Sequence, residues 1–161
     1  MILVTVGTHH QSFERLVCAM DELAGDLDEQ VIIQYGASMH VLRHALGFSW
    51  TTSEEMEQLT SQARAVVTHA AAGAIILALK MAKPLVVTPR LRMMREVIDD
   101  HQEQLAKILA SDGKAIALFE LTPLTLRLGI EQATQLKFHT TQANMLKQAL
   151  RVRLRSWEGQ Y

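Results

Sequence analysis

An α/β domain built on a single doubly wound parallel sheet is the fold class this sequence predicts. Three observations predict it. Short β-rich runs alternate with helical spacings of apolar residues along the chain. The runs are continuously apolar, as in strands covered on both faces. Glycine or proline punctuates most of the boundaries. The 161 residues suit one such domain, and no repeat, low-complexity segment or internal linker divides them.

The elements follow in order. "ILVTVG" (2–7) reads as a buried strand ending at Gly7. Phe13, Leu16, Val17, Met20 and Leu23 mark a helix over 12–24, stopped by Gly25. Cys18 falls inside that amphipathic pattern and is expected to be a small core residue. "QVIIQYG" (30–36) is a second strand, a short helix over 39–46 comes next, and "FSW" (48–50) follows it. Ser53 is the expected N-cap of a helix to about Gln62, with Glu54 and Glu55 in its first turn. "AVVTHA" (65–70) is a strand, 72–82 a helix, and "KPLVVTP" (83–89) a strand with a proline near each end. A helix over 97–111 stops near Gly113, "KAIALFE" (114–120) is the last strand, and helices over 123–135 and 141–157 close the chain. Strand–helix alternation with right-handed crossovers gives a Rossmann-like domain.

Composition excludes several functions. Hydrophobic residues make up 48% and charged residues 20%, with a formal net charge of −1, so no global electrostatic case exists for nucleic acid or an anionic membrane. The single cysteine rules out an intrachain disulfide framework and fits a reducing compartment. "ILVTV" follows Met1 at once, with no basic n-region and no small-residue cleavage site, so no signal peptide is expected, and the longest apolar run, 70–79, is far short of the ~20 residues that span a bilayer. A cytoplasmic protein is expected.

Ligands of such sheets bind beyond the carboxyl ends of the strands. The polar-rich loops there are "GTHHQ" (7–11), "THAAAGA" (68–74) and "TPRLRMMREVIDDHQ" (88–102). Small residues over 70–74 allow backbone amides at a helix N-terminus to approach a phosphate, or simply allow tight helix–sheet packing. His69 is a phosphate donor or a satisfied structural group. "DDHQ" (99–102) is suited to reading sugar hydroxyls, or to capping a solvated helix. His40 and His44 have i,i+4 spacing without an acidic residue between them, and no metal site is expected. No Ser/His/Asp or Cys/His arrangement, P-loop or basic–aromatic RNA-binding pattern stands out.

Taken together, "VTVGTHHQSFERLV" (4–17), "VVTHAAAGAIILALKMAKPLVVTPR" (66–90) and "EVIDDHQEQLA" (96–106) resemble the glycosyltransferase family 28 C-terminal domain. The chain is most similar to the short, stand-alone PssE-type proteins of bacterial exopolysaccharide synthesis. These are similar in turn to the soluble subunit of the eukaryotic dolichol-linked N-acetylglucosamine transferase. The resemblance implies that residues 1–161 form one UDP-sugar (donor) binding domain, equivalent to the C-terminal half of a GT-B glycosyltransferase. It implies a membrane-associated PssD-type partner chain carrying the lipid-linked glycan acceptor, and a place at the inner face of the cell membrane through that partner.

By the same resemblance, Gly7 and Thr8 lie beside the donor diphosphate, with the turn His69, Ala70, Ala71, Ala72, Gly73 and Ala74. Asp99, Asp100, His101 and Gln102 match the segment that contacts the sugar, and Glu96 matches a family glutamate in the same loop. Arg90, Arg92 and Arg95 offer charge to phosphate or to an acidic sugar, or form a solvated surface. The implied reaction is inverting hexosyl transfer from a UDP-sugar without cofactor or metal. His69 is a candidate diphosphate stabiliser, and the general base is expected on the partner. The chain departs from the family pattern at Ala71 (a glycine there), Ala74 (serine, a phosphate ligand), Leu77 (glutamate, which holds the ribose), Arg95 (glycine) and Val97 (histidine). Those departures leave a degenerate, non-catalytic homologue that stabilises or regulates a partner as the alternative. The tail carries Leu146, Leu150, Leu154 and Trp157 on one helical stripe beside Lys147, Arg151 and Arg155, suited to packing on its own sheet or to docking against the acceptor-binding chain.

Overall fold

The computed structural model of the protein describes residues 1–136. The expected helix over 141–157 and its leucine stripe lie outside the described residues.

The strands are β1 (Ile2–Thr5), β2 (Val31–Gln34), β3 (Leu46–Phe48), β4 (Ala65–Thr68), β5 (Leu85–Val87) and β6 (Ile116–Ala117). They form one all-parallel sheet in the order β3-β2-β1-β4-β5-β6. The helices are α1 (Glu14–Ala24), α2 (Ser53–Gln62), α3 (Ala72–Lys80), α4 (His101–Ser111) and α5 (Pro123–Gln135), with a 3-10 turn at Arg92–Met94. Strand pleating sends alternate residues to opposite faces. Ile2, Val4 and Val6 pack under α1 and α5 with Phe13, Leu16, Met20, Leu126 and Ile130. Leu3, Val66, Leu85 and Val87 pack under α2, α3 and α4 with Leu59, Ile75, Leu79, Leu105 and Leu109. Every residue of β1 is buried, which is why the strand reads as an uninterrupted apolar run. The strand order reverses between β1 and β4, and this is the topological switch point.

Residues 39–45 contain no helix, contrary to the sequence expectation, and β3 begins at Leu46 instead of at the "FSW" run. The reason lies on α1. The buried Asp21 carboxylate accepts the backbone N–H groups of Arg43 (3.0 Å), His44 (3.0 Å) and Ala45 (2.9 Å), and His40 Nε2 lies 2.8 Å from its Oδ2. Glu14 accepts from Met39 N at 2.7 Å. Donors that a helix would direct to carbonyls four residues back are taken by side chains of another element. Burial raises the Asp21 pKa, but the hydrogen bonds from Ala45, His40, His44 and Arg43 outweigh it and bring it to about 2.

Cys18 is also not in the core. It is exposed on α1, one residue out of phase with the buried Val17, and its Sγ lies 3.4 Å from His40 Nδ1. Partial burial, Glu14 and Asp21 raise its thiol pKa. At the start of α2 the cap is Thr52 and not Ser53: Thr52 Oγ1 accepts from Glu55 N at 3.2 Å, and Glu55 accepts from Thr52 N at 3.4 Å, a capping box. The helix expected over 97–111 starts only at His101. Arg95 adopts a left-handed φ of 58° there, and the Glu96 side chain accepts from Leu91 N at 2.9 Å, closing a loop before α4. Among the described residues no helix is long and apolar enough to cross a membrane.

Candidate functional site

A cleft of about 1100 Å³ opens at the carboxyl edge of the sheet, between α2 and α3. Its floor is β1, β2 and β4, through Leu3, Thr5, Gln34 and Val66. Its rim joins three strand ends: Gly7 to His10 after β1, Trp50 to Ser53 after β3, and His69, Ala71, Gly73 and Ala74 after β4. Met56, Glu57 and Thr60 line the α2 wall, and Ile76, Leu77 and Lys80 the α3 wall.

The N-terminus of α3 differs from that of α2. Ala71 stands at the N-cap and offers no side-chain oxygen, so the first amides of α3 open on the cleft without the capping box that satisfies α2. Gly73 is exposed, and a Cβ built on it would meet nothing within 4 Å. Packing therefore does not require glycine there, whereas Ala70, only 3% exposed, does pack into the core. The two readings of the small-residue turn divide by residue: Ala70 serves packing, and Gly73 leaves bare backbone facing the cleft. Such amides at a helix N-terminus favour an anion.

Gly7 has a φ of +75°, and a Cβ on it would sit 2.5 Å from His69 Cε1 and 2.6 Å from Nε2. The histidine ring thus backs directly onto the turn after β1. His69 Nδ1 lies 3.2 Å from the Thr5 carbonyl oxygen, an acceptor, so Nδ1 carries the proton and Nε2 presents a lone pair. Burial lowers the His69 pKa to about 4, with Arg90 and His9 adding to it and the Thr5 hydrogen bond opposing it. At neutral pH His69 is an uncharged acceptor at Nε2, and donation to a diphosphate from that nitrogen requires a second proton. His9 and His10 rings lie 4.2 Å apart on the rim, and burial, His10 and Arg90 lower the His9 pKa.

Arg90 is not on a solvated surface. It is 2% exposed, and its guanidinium donates to the carbonyls of Ser12 (2.6 Å), Gln11 (2.9 Å) and Val6 (3.1 Å) while stacking 4.9 Å from the Phe13 ring centroid. Glu96 is held by Arg15, at 2.9 and 3.1 Å, and by Leu91 N. Arg15 also donates to the carbonyls of Phe119 (2.8 Å) and Pro89 (3.2 Å). Gln102 Oε1 accepts from Arg90 N at 3.0 Å, and Asp99 Oδ1 from His101 N at 3.0 Å. These groups brace the loop after β5 against the loop after β1.

The structure thus brings Gly7, Thr8, His69, Ala71, Gly73 and Ala74 together on one cleft. Ala72 stands at the first position of α3 without lining it, and Ala70 lies beneath. Arg90, Glu96, Asp99 and Asp100 sit on the loop after β5, and His101 and Gln102 in the first turn of α4, all outside the cleft lining. Ala74 and Leu77 do line the cleft, so the family serine and glutamate are absent from its wall. Trp50, Thr51 and Glu57 also line it, and sequence reasoning missed them. They follow β3, and asking what stands after every strand, including the short third one, would have found them. Among the described residues no group of three or more His, Cys, Asp or Glu is arranged to hold a metal ion.

Comparison with known proteins agrees with this architecture. The glycosyltransferase family 28 C-terminal domain matches residues 1–156. Among curated proteins nothing matches. Similar solved structures include the calicheamicin glycosyltransferase CalG4, at 18% identity and a TM-score of 0.66 over 83% of this chain and 34% of that one. The glycotransferase of kitacinnamycin gives 20% and 0.68 over 94% and 39%. The glycosyltransferase VinC in complex with DTDP gives 17% and 0.61 over 91% and 36%. At these identities the likeness is one of fold, and the chain spans 34–39% of the length of these three proteins. With the parallel six-stranded sheet and the match over 1–156, the chain belongs to the glycosyltransferase family 28 C-terminal domain and has the fold of the C-terminal half of a GT-B glycosyltransferase.

Proposed function

We propose that this chain is the donor-binding subunit of a split GT-B glycosyltransferase, transferring a hexosyl group from a UDP-sugar to a lipid-linked acceptor in exopolysaccharide or capsule synthesis. One observation carries the reading: the uncapped N-terminus of α3, with exposed Gly73, opens beside Gly7 and Thr8 into a cleft at the switch point of the sheet. Amides aimed at one spot favour the charge that grows on a departing diphosphate. The exposed Trp50 indole on the same cleft offers a stacking face to a nucleobase. The complex of VinC with DTDP supports a nucleoside diphosphate as the ligand class for this fold.

The reaction is an inverting displacement in which an acceptor hydroxyl attacks the anomeric carbon and UDP leaves. A base must take the hydroxyl proton, and His69, with a pKa of about 4, is far from the range in which proton abstraction at neutral pH is efficient. The base is therefore assigned to a membrane-associated PssD-type partner, which also holds the acceptor and keeps this chain at the inner face of the membrane.

Calorimetric titration with UDP and UDP-sugars, with and without the genomic neighbour co-expressed, tests the reading. Millimolar or tighter binding weakened by His69→Ala is expected. Absence of binding in both settings, or failure of a PssD-type chain to co-purify, refutes it. The second reading, a non-catalytic module that stabilises a partner, is favoured by the apolar Ala74 and Leu77 on the cleft wall. It predicts co-purification without nucleotide binding.

A further inference from the structure

The polarity of the cleft is one-sided. Its α3 wall presents Ala74, Ile76 and Leu77 before Lys80, so no polar side chain stands there for the first two turns. The α2 wall is polar, yet most of its groups are spent within the helix. Thr52 and Glu55 close the capping box, Thr51 donates to Glu55, and Thr60 Oγ1 donates to the Met56 carbonyl at 2.7 Å. Glu57 is different. It is exposed, it is the one carboxylate among the described residues lining the cleft, and no hydrogen bond or ion pair engages it among the described residues.

Its depth is equally informative. Both helices start at the carboxyl edge of a parallel sheet, so their N-termini share one end of the cleft. Ser53 and Gly73 line the cleft in the first turns of α2 and α3, and Glu57 and Leu77 each follow four residues later. Four residues of α-helix rise about 6 Å. Glu57 and Leu77 therefore line the cleft from opposite walls, each about one turn in from the start of its helix. A ribose joined to the proposed diphosphate lies about there, and its vicinal hydroxyls are donors that a carboxylate accepts in pairs.

We infer that Glu57, reaching from α2, is the ribose-diol acceptor of this chain, taking the task from the opposite wall, where Leu77 supplies no acceptor. The inference rests on the nucleotide-binding reading and makes the ligand specifically a ribonucleoside diphosphate. The cleft then compensates its apolar α3 wall instead of having lost the nucleotide.

The test is calorimetric titration of the full chain and of Glu57→Gln with UDP and with 2′-deoxy-UDP. Glu57→Gln changes an exposed helical position and keeps the side-chain size, and thermal melting of the variant verifies its fold. The wild type is expected to bind UDP about tenfold tighter than 2′-deoxy-UDP, as loss of a charge-assisted hydrogen bond requires. Glu57→Gln should bind both nucleotides alike, and Glu57→Gln combined with Leu77→Glu should regain the preference from the other wall. UDP binding of equal strength in the wild type and Glu57→Gln overturns the inference and leaves the nucleotide-binding reading intact. No binding of UDP to any of these proteins overturns both.

Discussion

Replacing Arg90 by methionine separates an architectural role from a ligand role. The guanidinium holds three carbonyl oxygens, those of Val6, Gln11 and Ser12, in the loop that leads from β1 into α1. Methionine keeps most of the side-chain volume and removes every donor. An unpaired buried polar group costs about 1–3 kcal/mol. Gln11 and Ser12 are only half-buried and regain some water. Removing the charge also returns part of its desolvation cost, since Arg90 Nε is buried without a partner and burial lowers the guanidinium pKa. The net loss expected is about 3 kcal/mol. For a chain of this size each kcal/mol moves the melting temperature by about 2–4 °C, so Arg90→Met should melt about 6–12 °C below the wild type. Differential scanning calorimetry at neutral pH reads this directly. A melting temperature within about 1 °C of the wild type, together with weakened UDP binding, would refute the reasoning and return Arg90 to the ligand.

Four further outcomes follow from the same geometry. His69 has a folded-state pKa of about 4 against an ordinary 6.5, so between those values the unfolded chain binds more protons and stability falls as pH falls. That window carries about 3 kcal/mol, and urea denaturation midpoints measured across it should be flatter for His69→Gln than for the wild type. Asp21, at about 2 against 3.8, loses its contribution of about 2 kcal/mol in the lower window, as pH drops from about 4 to 2; Asp21→Asn should flatten that part of the profile and, at neutral pH, speed amide exchange at Arg43 to Ala45. Gly7→Ala meets both a left-handed backbone and the His69 ring and should cost about 2 kcal/mol or more in chemical denaturation, with loss of UDP binding. Gly73→Ala should split stability from binding: the melting temperature rises with about 0.5 kcal/mol of added helix propensity, while UDP affinity falls because a methyl group stands on the amides of α3, and unchanged affinity would remove Gly73 from the phosphate site.

What the sequence made legible divides by how local the cause is. β1, β2, β4 and β5 were readable because burial on both faces writes itself into consecutive residues, and α5 was readable because Thr122 and Pro123 mark its start. Residues 39–45 were not, because their donors are captured by Asp21, nineteen or more residues earlier on α1, and nothing in the local spacing reports that capture. Arg90 fails for the same reason in the opposite direction. An arginine among Arg92 and Arg95 reads as surface charge, and only the return of the β1–α1 loop over it supplies three carbonyls and a phenyl ring. The cleft shows a third case. Leu77, taken alone, reads as a lost ribose ligand, since an apolar side chain on α3 accepts nothing. A binding wall is shared between helices far apart in sequence, however, and the unengaged carboxylate at Glu57 stands across from it. Whether a motif has degenerated is therefore a property of the cleft and not of the motif: the loss of an acceptor from one wall weakens a ligand only where the facing wall has none to offer.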